Sequence, residues 1–211
     1  ESCILLSCLG IHLITDLNTK CDRKKSLLLE SIYSIQMMLV NVLTQSHHCG
    51  IYEITFDAFQ KYCSYAWNHN ATSEKLVILL DEIKEELTND IIETSKGAIS
   101  TRRSAGLPYC IEALILTCPS YKKKSLVDGF IEKIISKLNL IKFKTTETDR
   151  YVICLNIIKH LLNSKRIVDL LIPYVPDFIQ IFIFGISCSS WKVLIIISFY
   201  RLKIHRSFCS A

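Results

Sequence analysis

Apolar residues recur along this chain with the period of an α-helix, and that periodicity decides what it can fold into. Over 123–140, Leu126, Val127, Phe130, Ile131, Ile134, Ile135 and Leu138 form one stripe, with Lys133 and Lys137 opposite. The same spacing aligns Leu28, Ile32, Ile35, Met38, Leu39, Val42 and Leu43 over 26–43. It aligns Ile51, Ala58, Phe59, Tyr62, Cys63 and Ala66 over 51–66, and Val152, Leu155, Ile158, Leu161 and Leu162 over 149–162. In 74–92, Leu76, Leu80, Ile83, Leu87 and Ile91 face one way, and Glu82, Lys84, Glu85 and Glu86 are mostly solvated. No stretch shows clean alternation bounded by turn residues, so no strands are predicted. Six glycines and four prolines are too few for a turn-rich all-β fold or for the phosphate loops of nucleotide-binding sheets.

The stripes predict helix starts near residues 2, 26, 50, 74, 101, 122 and 149. Taken in pairs, the starts are about 48 residues apart, close to the roughly 40–47 of HEAT and armadillo repeats. An amphipathic hairpin must bury its apolar face on a neighbour, and stacked hairpins build an α-solenoid. A compact all-α bundle is the alternative; the period favours the HEAT/armadillo-like solenoid of antiparallel hairpins. The stretch "FIQIFIFGISCSSWKVLIIISFY", 178–200, is long enough for a membrane span. Lys192 and the polar "SCSSWK" interrupt it, so two buried helices with a turn at Ser187–Ser190 are expected instead.

Half of the 211 residues are hydrophobic and 21% are charged, which excludes a disordered tail. The formal charge of +5 permits an acidic partner such as RNA without demanding one. The opening "ESCILLSCLGIHLI" has neither a basic n-region nor a small-residue cleavage site, so no signal peptide is expected, and the chain reads as a piece of something longer. Ten cysteines without a single C-x-x-C argue against zinc and against a disulfide framework. Cys3, Cys8, Cys63, Cys110, Cys118, Cys154 and Cys188 lie in apolar stretches and are predicted to be buried thiols. The best metal candidate is His47, His48 and Cys49, which would need a further ligand such as Cys63; a surface turn is the expected reading, and no metal is assigned. Asn70 heads a glycosylation sequon, of no consequence in a cytosolic protein.

One stretch departs from this pattern. "STRRSAGLP", 100–108, places Arg102 and Arg103 directly before Ser104, Ala105, Gly106 and Pro108. Proline cannot donate a hydrogen bond and pushes Leu107 away from helical geometry. The helix therefore begins around Ser104, with Ser104 as its cap, or begins near Ser100 and kinks at Gly106–Pro108. Either way two cations sit near a positive helix end, which calls for a compensating anion. Asp90 or Glu93 could supply it from within the chain; a bound phosphate could supply it from outside, because the small residues leave room for a close backbone. Physics alone places the internal ion pair slightly ahead.

"TRRSAGLP" resembles the signature of the thyroid adenoma-associated protein family, regulatory subunits of tRNA (32-2′-O)-methyltransferase. The flanks are similar too: "HHCGIYEITFDAFQKY" (47–62), "LDEIKEEL" (80–87), "VICLNIIKHLLNSKRI" (152–167, with Cys154 at the usual alanine), "IPYVPD" (172–177) and "GISCSSWKV" (185–193). The resemblance covers residues 1–193, read as one α-solenoid segment; 194–211 diverges from the family and reads as a tail from a frameshift, an alternative exon or a retained intron.

The resemblance implies a non-catalytic, cytoplasmic scaffold. Its partners would be tRNA and a methyltransferase of the FtsJ type, which itself binds S-adenosylmethionine and methylates the ribose of anticodon-loop nucleotide 32. The chain would need no cofactor of its own, and neither DNA nor a membrane is an expected partner. Arg102, Arg103, Ser104, Gly106 and Pro108 are the implied RNA or partner contacts. Lys122, Lys123, Lys124, Lys159, Lys165 and Arg166 are further RNA candidates, each equally readable as a solvated repeat face. A protein-binding solenoid without RNA, such as a transport or membrane-pump regulator, is the alternative function.

Overall fold

A computed structural model describes residues 1–17, 22–46, 48–88, 106–141 and 148–186, and every regular element among them is helical. The α-helices are α1 (Ser2–Leu17), α2 (Asp22–Gln45), α3 (Cys49–Ala66), α4 (Asn70–Thr88), α5 (Leu107–Thr117), α6 (Ser120–Ile141), α7 (Thr148–Asn163), α8 (Val168–Leu171) and α9 (Val175–Ile186), with a 3-10 turn at Ile172–Tyr174. Periodicity placed α1, α3, α6 and α7 within two residues of their starts. It placed α2 and α4 four residues late, because the first turn of each is polar and adds nothing to an apolar stripe. In α4 that polar turn is what anchors the helix: Thr72 Oγ1 donates to the Ala66 carbonyl at 2.7 Å, and the Ser73 amide to the His69 carbonyl at 2.8 Å.

The helices lie in two layers. On one side α1 packs on α3, α3 on α5 and α5 on α7; on the other α2 packs on α4, α4 on α6 and α6 on α9. The core fills the space between, with Leu39 and Leu43 of α2, Phe59 and Tyr62 of α3, Ile111 and Leu114 of α5, and Ile131 and Ile134 of α6 all buried. Burying each such side chain contributes roughly 1.5–3 kcal/mol, and that sum is what opposes the chain entropy of so many helical residues. Gly10 allows α1 to lie close to α3, since a Cβ there would come 2.9 Å from the Tyr62 ring. Polar pins complete the packing: Ser7 Oγ donates to the Ala58 carbonyl (2.7 Å), Trp67 Nε1 to Thr117 Oγ1 (3.1 Å), and Tyr151 OH to the Ile181 carbonyl (2.9 Å).

Four expectations about single residues fail. Met38 is 51% exposed, because the buried face of α2 runs through Ile32, Ile35, Gln36, Leu39, Val40 and Leu43, and Met38 lies well round the helix from its centre. Ile51 keeps the right phase but is 43% exposed; α1 begins at Ser2, level with Thr55, and does not reach the first turn of α3. Lys137, expected in water, is only 5% exposed, since α6 is packed by α4, α5, α7 and α9. Cys8, expected to be buried, is exposed on α1. Cys63, Cys110, Cys118 and Cys154 are buried, and Cys3 is half-buried.

Lys24–Gln45 and Val168–Ile186 are apolar and long enough to cross a membrane by length and composition. The second is no continuous α-helix; it is broken by the 3-10 turn, with Pro173 and Pro176 at the break. Within it α9 buries Phe178, Ile181, Phe182 and Gly185, and Ile179, Ile183 and Ile186 are exposed. The expected turn at Ser187–Ser190 and the helix after it lie outside the described residues.

Candidate functional site

Of the "TRRSAGLP" motif, residues 106–108 are described; Arg102, Arg103 and Ser104 lie outside the described residues, as do Asp90 and Glu93. Gly106, not Ser104, holds the cap position of α5, and Pro108 falls within the first turn, where a missing N–H costs nothing. Both residues are buried. The backbone of Gly106 is unstrained (φ −87°, ψ −12°), so glycine is not required here for conformation. It is required for space: a Cβ would lie 1.8 Å from the carbonyl oxygen of Leu43 and 2.7 Å from its carbon. That carbonyl belongs to the last turn of α2, where carbonyls lack partners within the helix. The negative end of α2 therefore meets the positive end of α5, a favourable alignment of dipoles. The close backbone that the small residues were expected to admit is, at Gly106, the chain's own.

The next residues of α5 gather two more helix ends. The Tyr109 ring lies 5.1 Å from Tyr52 and 5.5 Å, edge-on, from Phe56, both in the first half of α3. On its other side it lies 4.3 Å from the His160 imidazole, in the last turn of α7. One turn along, Glu112 Oε2 is 2.5 Å from His160 Nε2. Burial pushes the Glu112 carboxyl upward; hydrogen bonds from His160 and Ser164, with the charges of His160 and Arg166, outweigh it and leave the group below its ordinary range. The inner face of α5 (Pro108, Cys110, Ile111, Ala113, Leu114 and Ile115) is buried, and Tyr109 and Glu112 on the outer face stay partly open to solvent. The start of α5 is thus a node on which the end of α2, the start of α3 and the end of α7 converge.

Of the six further basic candidates, Arg166 acts at this node. It is exposed beside Lys165 in the turn after α7, close enough to act on Glu112. Lys159 is half-buried on α7. Lys122, Lys123 and Lys124 stand at the other end of α5, roughly 15 Å along the helix. Lys123 is a brace: its Nζ donates to the Leu116 carbonyl at 2.9 Å and satisfies the last turn of α5. Lys122 Nζ sits 5.7 Å from the centre of the exposed Tyr121 ring, on the rim of a groove of ≈ 600 Å³ between α4 and α6, and Lys124 is exposed. The metal candidate does not assemble as sketched. His48 is exposed ahead of α3, and Cys63 is buried about 20 Å along that helix; His47 and the Cys49 side chain lie outside the described residues. Among the described residues no three His, Cys, Asp or Glu side chains are grouped to hold a metal.

Sequence reasoning missed Tyr52, Phe56, Tyr109, Glu112 and His160. Tyr109 directly follows Pro108 and carried a positional hint; the partnership of Glu112 with His160, 48 residues apart, left no local signal.

Two layers of packed helices, with Gly106 and Pro108 of the motif buried where helix ends meet and Arg166 at the edge, define an all-α protein. The chain matches the family described as THADA/TRM732, DUF2428, over residues 1–192, and belongs to that family. It is similar to proteins called tRNA (32-2′-O)-methyltransferase regulator THADA. The Gallus gallus protein is 29% identical over 170 residues, covering 78% of this chain and 8% of that protein. Those of Mus musculus and Homo sapiens are each 29% identical over 157 residues, covering 72% of this chain and 8% of theirs. The chain thus spans about 8% of the length of these relatives. No solved structure matches it.

Proposed function

We propose that this chain is a HEAT/armadillo-like α-solenoid segment of a non-catalytic, cytoplasmic regulatory subunit, one that supports 2′-O-methylation of nucleotide 32 in the tRNA anticodon loop by an FtsJ-type methyltransferase partner. The name shared by the relatives supports the regulatory role. The layered side-by-side packing of successive helices supports the solenoid. The observation that carries the reading is the anchored end of the motif. Gly106 and Pro108 are buried and fix the start of α5, and Arg103 is three residues upstream of Gly106. Covalent geometry keeps the backbone of Arg103 within roughly 11 Å of that fixed point. Two permanent cations on so short a tether suit phosphate or a carboxylate of the partner enzyme. S-adenosylmethionine would be held by the partner.

The exposed Ile179, Ile183 and Ile186 on α9 favour a second reading, a scaffold that binds protein and no RNA. Salt separates the two. Retention of tRNA should weaken steeply with ionic strength, each neutralised phosphate adding roughly 0.7–0.9 to the logarithmic slope. Absence of tRNA retention at low salt would favour the protein-only scaffold.

A further inference from the structure

We propose that the ring cluster of Tyr52, Tyr109 and His160, edged by Lys165 and Arg166, is a stacking site for an unpaired RNA base. The proposal rests on the tRNA reading above and assigns that reading a surface of its own.

Rings from three helices meet here, Tyr109 lying 5.1 Å from Tyr52 and 4.3 Å from His160, and each keeps a minor part of its surface open to solvent. An aromatic ring at the surface accepts any base, because every base offers a π-face. Glu112, beside the rings, is hydrogen-bonded by His160 and Ser164 and offset by the charge of Arg166, so it presents no uncompensated charge to a polyanion. The charges around it give the site a direction. Asp57 is exposed on α3, next in sequence to Phe56, and would repel phosphate; Lys165 and Arg166 lie exposed past the end of α7 and would attract it. A base on the rings would therefore have its backbone on the α7 side. A paired stem cannot offer a free base face, so the site selects loops over duplex.

The test uses the full chain and two RNA probes of equal charge, a hairpin with the unpaired loop of an anticodon arm and a blunt duplex, followed by fluorescence anisotropy. The wild type should favour the hairpin. Tyr52→Leu, which keeps apolar bulk but removes the π-face, should lower hairpin affinity about tenfold and leave duplex binding unchanged. Tyr52→Phe should restore the preference, and the joint change Lys165→Ala with Arg166→Ala should weaken both RNAs and flatten the salt slope. Equal wild-type affinity for the two probes, or an undiminished hairpin preference in a folded Tyr52→Leu, overturns the stacking site and leaves the tRNA reading standing. Failure to bind either probe removes both.

Discussion

Gly106 could carry any side chain as far as its backbone angles are concerned; the carbonyl of Leu43 is what forbids one. A backbone atom in a helix end cannot swing aside as a flexible side chain would, so Gly106→Ala must pry α5 from α2. We expect a loss of about 3 kcal/mol or more in urea unfolding, at the upper end of overpacking costs. A loss below about 1 kcal/mol would mean the contact relaxes and the node is softer than described. Glu112 makes a second prediction. Its folded carboxyl titrates below the ordinary glutamate value, so its stabilisation is present above about pH 4.3 and is lost as pH falls through the lower folded value. The stability gap between wild type and Glu112→Gln should be widest near neutrality, about 1–2 kcal/mol, and should close in acid. A gap that stays constant from pH 7 to about pH 3 would contradict that account.

At the scale of the element, the sequence discloses a helix where apolar residues repeat and is silent where they do not. The stripes of α3, α6 and α7 were legible because one face of each meets the core. The polar first turns of α2 and α4 were not, and neither was the exposure of Met38, which depends on which neighbours α2 has rather than on its own spacing. In the candidate site, the glycine and proline beside the arginines were legible as unusual. Their physical job was not, because it rests on a carbonyl 63 positions away in sequence. The cysteines give a test of helix burial. Burial raises the Cys110 thiol to about 12 and Cys63 well above its ordinary value, so both are sheltered and protonated at neutral pH. Site-resolved alkylation should label Cys8 quickly, and Cys63, Cys110 and Cys154 only once the protein unfolds. Rapid labelling of Cys110 in the folded protein would show that α3 and α5 do not pack as described.

For the whole molecule, the chain spans 8% of each relative's length, so the proteins named as regulators are far longer than the segment described. We propose that Arg102 and Arg103, a few residues along the chain from the buried node at the start of α5, serve the methyltransferase reaction. The most direct measurement replaces Arg102 and Arg103 with alanine in the complete protein that carries this chain, confirms an unchanged thermal unfolding, and assays 2′-O-methylation of nucleotide 32 with the methyltransferase partner present. Each lost charge-assisted contact is worth roughly 1.5–3 kcal/mol, so methylation at limiting tRNA should fall at least tenfold. Normal methylation by the normally folded double variant would contradict the account and leave the motif a packing device alone.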